Sequence, residues 1–328
     1  MSQEKRRHKI DHSLTVRAAW LHYVGGLTQA AVAKKLGVPS VKAHRMIAKA
    51  VADGLVKVSI DGDVVECIEL EAELCRTYGL NVCEVAPDLG EEGLPLRTLA
   101  QVGSSFIGRQ LDQKFHKIIG FGHGRTLAAA VRFMPHSDAN STRFVSLLGG
   151  LTRNFSANPH DVMHLIAEKT RAQAHVVPVP FFANTTEDRK VLLAQKGVKD
   201  VFAMAEDATL KIVGIGTVDE KTQLVQSGMI EPEEIRQVVD QGGVGELLGH
   251  FFDNAGTLLE TNLTSRTLAT SLSNQSDKQI VALAGGEEKI APIKAVLQSG
   301  QLAGLITDER TARRLLNKPT LSWGSKLE

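Results

Sequence analysis

The stretch Lys117-Ile-Ile-Gly-Phe-Gly-His-Gly-Arg-Thr126 decides the fold. Its first five residues read as a buried strand, its glycines as a turn, and residues 127–133 as a helix. A strand that passes through a glycine turn into a helix is the repeating unit of a parallel sheet, because neighbouring parallel strands need a crossover between them. Upstream, 66–78 reads as a helix with Ile68, Leu70, Leu74 and Cys75 near its buried side and Gly79 at its end; 81–86 reads as a strand stopped by Pro87, and 96–111 as a second amphipathic helix. Downstream, apolar strands are expected at 143–148, 175–178, 210–215, 279–283 and 302–307, with helices between several of them, including 161–172 and 290–298. Residues 61–328 are therefore expected to form an α/β domain with a doubly wound, mostly parallel sheet.

In such sheets ligands collect outside the carboxyl ends of the strands. Three glycine-rich turns fall there: Gly122-His-Gly-Arg-Thr126, Gly214-Ile-Gly-Thr217 and Gly285-Gly-Glu-Glu-Lys289. In the first, glycines let backbone N–H groups approach an anion, the following helix adds the positive end of its dipole, and Arg125 and Thr126 add donors. The turn is neither a Walker A loop, which needs a Lys before its Ser or Thr, nor the G-x-G-x-x-G dinucleotide fingerprint. Glycine turns between strand and helix also occur where no ligand binds.

Residues 1–60 differ in kind. They hold 11 Lys and Arg against 3 acidic residues, while the rest of the chain holds 27 against 34, so the formal charge of +1 conceals a basic head on a mildly acidic body. That density is the footprint of a nucleic-acid binder, since neutralised phosphates release condensed counterions, and it is also what a solvated basic arm carries. A helix is expected over 11–24, with Leu14, Ala18, Leu21 and Trp20 along an apolar stripe and Gly25-Gly26 as its stop. Thr28 offers an N-cap to a short helix over 29–36, Gly37-Val38-Pro39 makes a tight turn, and Ser40 caps a third helix that Gly54 ends. A short helix, a glycine turn and a longer helix make a helix-turn-helix. At about 100° per residue, Ala43, Met46, Ile47, Ala50 and Val51 share one face of the third helix, and Lys42, Arg45 and Lys49 cluster opposite with Ser40 at the N-terminal end. Such a helix suits a major groove: Arg45 can fork onto guanine O6 and N7, and Lys42 and Lys49 can touch phosphates. Residues 55–60 alternate apolar and polar, as a short strand or a lead into the next domain.

These residues carry a family resemblance. Gly26-Leu-Thr-Gln29, Val32-Ala-Lys-Lys-Leu-Gly-Val38, Lys42, Arg45-Met-Ile47 and Asp53-Gly-Leu-Val-Lys-Val58 resemble the head of the SorC family of sugar-responsive bacterial transcriptional regulators, with departures at Ser40 and His44. In the body, the 122–126 turn, Leu147-Leu-Gly-Gly150, His175-Val-Val-Pro-Val-Pro-Phe-Phe182, Val213-Gly-Ile-Gly-Thr217, Gly245-Glu-Leu-Leu-Gly-His-Phe-Phe-Asp253 and Ala284-Gly-Gly-Glu-Glu-Lys289 look like that family's effector domain, whose fold is similar to sugar-phosphate isomerases and deaminases. The resemblance implies a DNA-binding domain over 1–60, with Thr28, Gln29, Ser40, Lys42, Arg45 and Lys49 toward DNA, and an effector-binding and oligomerisation domain over 61–328. It implies a phosphorylated sugar or polyol as effector, held by Gly122, His123, Gly124, Arg125, Thr126 and Lys289, with Asp253 on a sugar hydroxyl. It leans toward polyol catabolism, erythritol included. A homo-oligomer, dimer or tetramer, on double-stranded operator DNA is the assembly expected.

Other functions are set aside on the same residues. The chain has 328 residues, 43% hydrophobic and 23% charged, as globular proteins do, and no apolar run approaches the roughly 18 residues that a membrane span needs. Lys5, Arg6, Arg7 and Lys9 have no apolar block behind them, so no secretory signal is expected; three cysteines, an odd count, point to a reducing cytoplasm. His160-Asp-Val-Met-His164 mimics a zinc-binding H-E-x-x-H, but Asn158-Pro159 reads as a helix start and Asp is a short substitute for Glu, so neither metal nor cofactor is expected. Cys67, Cys75 and Cys83 straddle a helix and a strand and read as buried thiols. The alternative is a sugar-phosphate isomerase or deaminase with an appended head; His123, His250 and Asp253 are its acid–base candidates, and they form no recognisable constellation.

Overall fold

The computed structural model describes residues 3–53, 55–56, 64–139, 141–151, 161–272 and 279–319. The chain divides into two compact units, Met1–Gly62 and Asp63–Glu328.

The first unit contains α1 (Gln3–Tyr23), α2 (Gln29–Leu36) and α3 (Ser40–Ala52). Ala18, Val32, Ala33, Ala43, Met46 and Ile47 are buried together where the three meet. Thr28 Oγ1 accepts the Ala31 N–H at 3.3 Å and caps α2 as the sequence suggests. Three expectations are corrected. The first helix begins at Gln3, well before residue 11. Trp20 is 60% exposed and lies off the packed stripe. Ser40 is the first residue of α3 and not its cap; Pro39 precedes it, its ring holding φ at −59° so that the chain enters the helix without a side-chain cap. Of the expected strand at 55–60, residues 57–60 lie outside the described residues, and Leu55 and Val56 are irregular.

The second unit runs α4 (Val65–Tyr78), β1 (Val82–Ala86), α5 (Leu96–Gln113), β2 (Ile118–Phe121), α6 (Arg125–Phe133), β3 (Arg143–Leu151), α7 (Met163–Thr170), β4 (Ala174–Pro180), α8 (Thr186–Ala194), α9 (Lys196–Glu206) and β5 (Leu210–Val213). It continues through β6 (Gly216–Thr217), α10 (Gln223–Gln226), α11 (Pro232–Asp240), β7 (Gly245–Leu247), β8 (His250–Phe252), β9 (Leu258–Leu259), α12 (Asn262–Arg266), β10 (Gln279–Leu283), a 3-10 turn (Glu287–Lys289), α13 (Ile290–Gln298), β11 (Gly304–Asp308) and α14 (Glu309–Leu315). Among the described residues, seven strands form a parallel sheet in the order β1-β11-β10-β5-β2-β3-β4, and β6 to β9 form a small antiparallel sheet. Side chains alternate across the large sheet with a strand's period of two. Ile119, Phe121, Leu210, Ile212, Val281, Leu283 and Ile306 pack with α5, α6 and α7 on one face. Val145, Leu147, Val213, Ile280, Ala282 and Leu305 pack with α4, α13 and α14 on the other. On α4 the packed residues are Cys67, Leu70 and Leu74, whereas Ile68 is 44% exposed. The helix expected over 161–172 spans only Met163–Thr170, and its presumed cap at 158–159 lies outside the described residues.

The strand order reverses at the centre of the sheet. From β2 the chain passes to β3 on one side, and from β5, the neighbour of β2 on the other side, it passes toward β10 and β11. The turns leaving β2 and β5 therefore diverge and open a crevice at the strands' carboxyl ends. Beyond it, 267–270 takes up the hydrogen bonds of β3 and of the segment after β4: the Gly149 N–H reaches Leu268 O, Leu268 N–H reaches Phe181 O and Thr270 N–H reaches Leu147 O, each at 2.8 Å. Arg266, 5% exposed at the end of α12, holds this region to its surroundings. Its guanidinium pairs with Glu234 of α11 and donates to the carbonyls of Ala183 at 2.8 Å and Asn184 at 3.2 Å.

Candidate functional site

Two regions collect the residues singled out by the sequence. On α3, Lys42, Arg45 and Lys49 are exposed, and with His12, Thr15, Met46 and Asp53 they line a shallow hollow between α1 and α3. Lys49 pairs with Asp53 at 3.6 Å, one turn on. Thr28, Gln29 and Ser40 are exposed at the starts of α2 and α3.

In the second unit the three glycine turns line one cavity of about 460 Å³ at the crevice, contributing Gly122 to Arg125, Gly214 to Thr217, and Gly285, Gly286, Glu288 and Lys289. Each turn exists for a local reason. Gly124 (φ 128°) and Gly286 (φ 103°) occupy backbone conformations that a Cβ disfavours, and each opens a helical turn with no side-chain cap. α6 therefore presents the N–H groups of its first turn without a capping side chain. The 285–286 turn is braced from below: the Gly286 N–H donates to Thr311 Oγ1 at 2.8 Å, and that hydroxyl donates to the buried Asp308 at 2.5 Å. The small sheet supplies a further wall. Its β7–β8 hairpin closes through Leu248 and Gly249, both at positive φ (50° and 75°), as a type I′ turn requires, and it carries Glu246 and Leu248 into the cavity lining. His123 lies edge-on to Phe181, ring centroids 5.2 Å apart.

The cavity's charges press on one another. Lys289 Nζ donates to the Ile215 carbonyl at 2.6 Å, and its pKa is pushed down to about 8, chiefly by burial and next by the Arg125 guanidinium, with Glu246 opposing. Glu246 accepts the Gly249 N–H at 2.6 Å, yet burial pushes its carboxyl up to about 7 against the pull of that N–H and of Lys289. Both groups cost folding free energy near neutral pH. A carboxyl raised from 4.5 to about 7 binds more protons folded than unfolded between those values, so its penalty grows as pH rises through them. An ammonium lowered from 10.5 to about 8 binds fewer protons folded, so its penalty fades as pH rises from 8 to 10.5. Glu246→Gln is therefore expected to stabilise the ligand-free protein at pH 8 by on the order of 1–3 kcal/mol and to change it little at pH 5, where the native carboxyl is mostly protonated. Thermal melts at the two pH values check this; equal gains at both would mean that packing, not ionisation, sets the difference.

Residues 62–317 match the sugar-binding domain family. The chain is 64% identical over 309 residues to the erythritol catabolism regulatory protein EryD of Brucella abortus (strain 2308), an alignment covering 94% of this chain and 98% of that one. This chain belongs to the SorC-like sugar-binding family. The transcriptional regulator LsrR of Escherichia coli (strain K12), 30% identical over 307 residues, aligns with 92% of this SorC-like chain and 93% of its own. The crystal structure of the full-length sorbitol operon regulator SorC from Klebsiella pneumoniae superposes with a TM-score of 0.67 at 25% identity, covering 93% of this chain and 99% of that one. The relatives are transcriptional regulators, and this SorC-like protein is a sugar-binding transcriptional regulator and not an enzyme.

Within the SorC-like body, Gly122, His123, Gly124, Arg125 and Lys289 come together at the cavity; Thr126 is buried in the first turn of α6 and does not line it. Asp253 is placed elsewhere: it lies in the turn after β8, where its carboxylate accepts the Ala255 and Thr257 N–H groups at 2.9 and 2.8 Å. Both bonds fall on Oδ1, and Asp253 is outside the cavity lining where its role on a sugar hydroxyl was expected. His250, part of the enzyme alternative, is bonded through Nδ1 to Leu248 O at 3.1 Å and is also outside the cavity lining. Glu246, like Asp219, Glu220 and Lys221, is a cavity residue to which the sequence assigns no role. Its signal is a lone carboxylate in the apolar stretch 244–252, where a surface strand would alternate. Among the described residues no group of three or more His, Cys, Asp or Glu could hold a metal, and no helix is long and apolar enough to cross a membrane. The three cysteines are free thiols, Cys67 and Cys83 buried and Cys75 half-buried.

Proposed function

We propose that this regulator binds operator DNA through α3 of its head, residues 1–60, and that a phosphorylated sugar or polyol in the body cavity sets its operator affinity. The observation that carries the proposal is the convergence of Arg125, Lys289 and the uncapped start of α6 on one cavity at the sheet's switch point. Two cations that repel each other in the ligand-free protein are relieved by a dianion between them, and a helix start adds N–H donors to the same group. Glu246, at the hairpin wall, is the acceptor for a sugar hydroxyl in the place first given to Asp253. The similarity to EryD makes erythritol and its phosphate the first ligands to test. The protein acts in the cytoplasm as a homo-oligomer whose paired heads meet half-sites of a pseudo-palindromic operator.

Thermal-shift titration decides on the ligand: a phosphate at 100 times its dissociation constant raises the stability of the native state by about 2.7 kcal/mol, and the unphosphorylated polyol raises it far less. Equal shifts for both would remove the phosphate from the proposal. On the DNA side, Arg45→Ala is expected to cost about 1–3 kcal/mol and relax discrimination at one base pair, whereas Lys42→Ala weakens all sequences and lowers the salt slope by about one unit. Anisotropy titrations on operator and scrambled duplex over a salt series separate the two, and wild-type behaviour in both variants would exclude α3 as the reader.

A further inference from the structure

The outward side of α3 is not uniformly basic. At about 100° per residue, the buried Ala43, Met46, Ile47 and Ala50 centre on one direction, and the described side chains that point most nearly opposite are Val41, Arg45 and Ala48, a stripe at i, i+4 and i+7. Lys42 and Lys49 flank this stripe on one side and His44 on the other, all exposed. Val41 is 68% exposed in the first turn of the helix, a β-branched side chain in the middle of a charged surface. Among the described residues it has no packing role in the head, since the buried cluster there draws on α3 through Ala43, Met46 and Ile47 and not through Val41.

We propose that Val41 reads the 5-methyl group of a thymine in the operator half-site. This rests on the assignment of α3 as the DNA reader. The first residues of a recognition helix are the ones that meet base edges, and thymine presents to the major groove the one apolar group that an aliphatic side chain can match. The flanking Lys42 and Lys49 are complementary in charge to the phosphates on a groove wall and so set the central stripe against the base edges. Val41 and Arg45 are one helical turn apart, about 6 Å along the axis, against about 3.4 Å per base pair. The thymine therefore lies within about two base pairs of the guanine that Arg45 contacts. Ala48, with a single methyl, adds less.

The test uses the full-length protein and a duplex selected by it from a randomised pool. Each thymine is replaced in turn by deoxyuridine, which keeps the base pair and removes the methyl. One thymine per half-site, within about two base pairs of the Arg45-dependent guanine, is expected to weaken wild type about three- to fivefold when replaced, the factor that burial of one methylene-sized group supplies. Val41→Ala is expected to bind the thymine duplex with a similar loss and to ignore the replacement, while Val41→Thr, which keeps one methyl, falls between. Val41 is exposed and Ala is the better helix former, so an unchanged melting temperature accompanies the loss. If no deoxyuridine position weakens wild type, or if the losses from deoxyuridine and Val41→Ala simply add, Val41 reads no methyl. If Arg45→Ala and Lys42→Ala also bind like wild type, the assignment of α3 falls instead.

Discussion

Replacing Arg125 with alanine is expected to leave operator binding intact and to remove the change in operator affinity at sugar or polyol phosphate concentrations that just suffice to produce it in wild type. Arg125 is exposed at the first position of α6, where alanine is readily accommodated, so the loss falls on the ligand and not on the fold. A charge-assisted hydrogen bond to a phosphate is worth about 1.5–3 kcal/mol, which is on the order of a 10- to 150-fold weakening. Part of that is recovered, because Arg125 is one cause of the depressed pKa of Lys289, and without it the remaining ammonium holds its proton more firmly. Linkage makes the expectation sharper. Whatever factor the effector imposes on operator affinity, typically about 5- to 150-fold, the operator must impose on effector affinity, so both titrations must fail together in the variant. Anisotropy on labelled operator across an effector series reads one arm and calorimetry with and without operator reads the other. A wild-type response in Arg125→Ala would place the phosphate elsewhere and leave the 122–126 turn as a plain strand-to-helix connection.

The second large effect is one of stability. Arg266→Ala is expected to cost about 3–5 kcal/mol, because it removes one partner of a buried ion pair and leaves the Ala183 and Asn184 carbonyls without their donor. For a unit of this size that is a fall of roughly 10 °C in melting temperature. A double variant, Arg266→Met with Glu234→Gln, is expected to recover part of the loss, since it no longer strands a carboxylate. Thermal melts followed by circular dichroism check both, and a single variant within 2 °C of wild type, roughly 1 kcal/mol, would show that solvent replaces the guanidinium at little cost.

Where apolar spacing and end signals are local, the sequence alone located the element. The helix at 290–298 and the strand at 279–283 coincide with α13 and β10, and the helix-turn-helix emerges from the spacing of Thr28, Gly37 and Pro39. Other features depend on partners far away in the chain. On α4 the choice between Cys67 and Ile68 is a matter of one residue in the phase of the helix, and only the sheet beneath it fixes that phase. Strands β6 to β9 are two or three residues long, too short for an alternation to register. The lone carboxylate of Glu246 in an apolar stretch marks it as unusual, but only the placement of its hairpin against the turns after β5 and β10 makes it a cavity residue. Asp253 shows the converse: a nearby turn competes for a carboxylate, and resemblance does not reveal which partner wins.

The pairing of β1 with β11 bears on the order in which the protein is made. β1 lies at the sheet edge, and its first residue, Val82, stands opposite Gly304. At about 5–20 residues per second, roughly 10–45 s of synthesis separate the two strands, during which β1 has no partner for its backbone and is open to mispairing. The head has no such delay, since its buried cluster is complete once Ile47 has been made. The last wall of the cavity, at 285–289, arrives late as well. Every ribosome on this message thus carries, for much of its transit, a finished helical head and an incomplete cavity. A chain cut short before residue 285 would remain in that condition permanently and, on the roles proposed above, would be a regulator deaf to its signal.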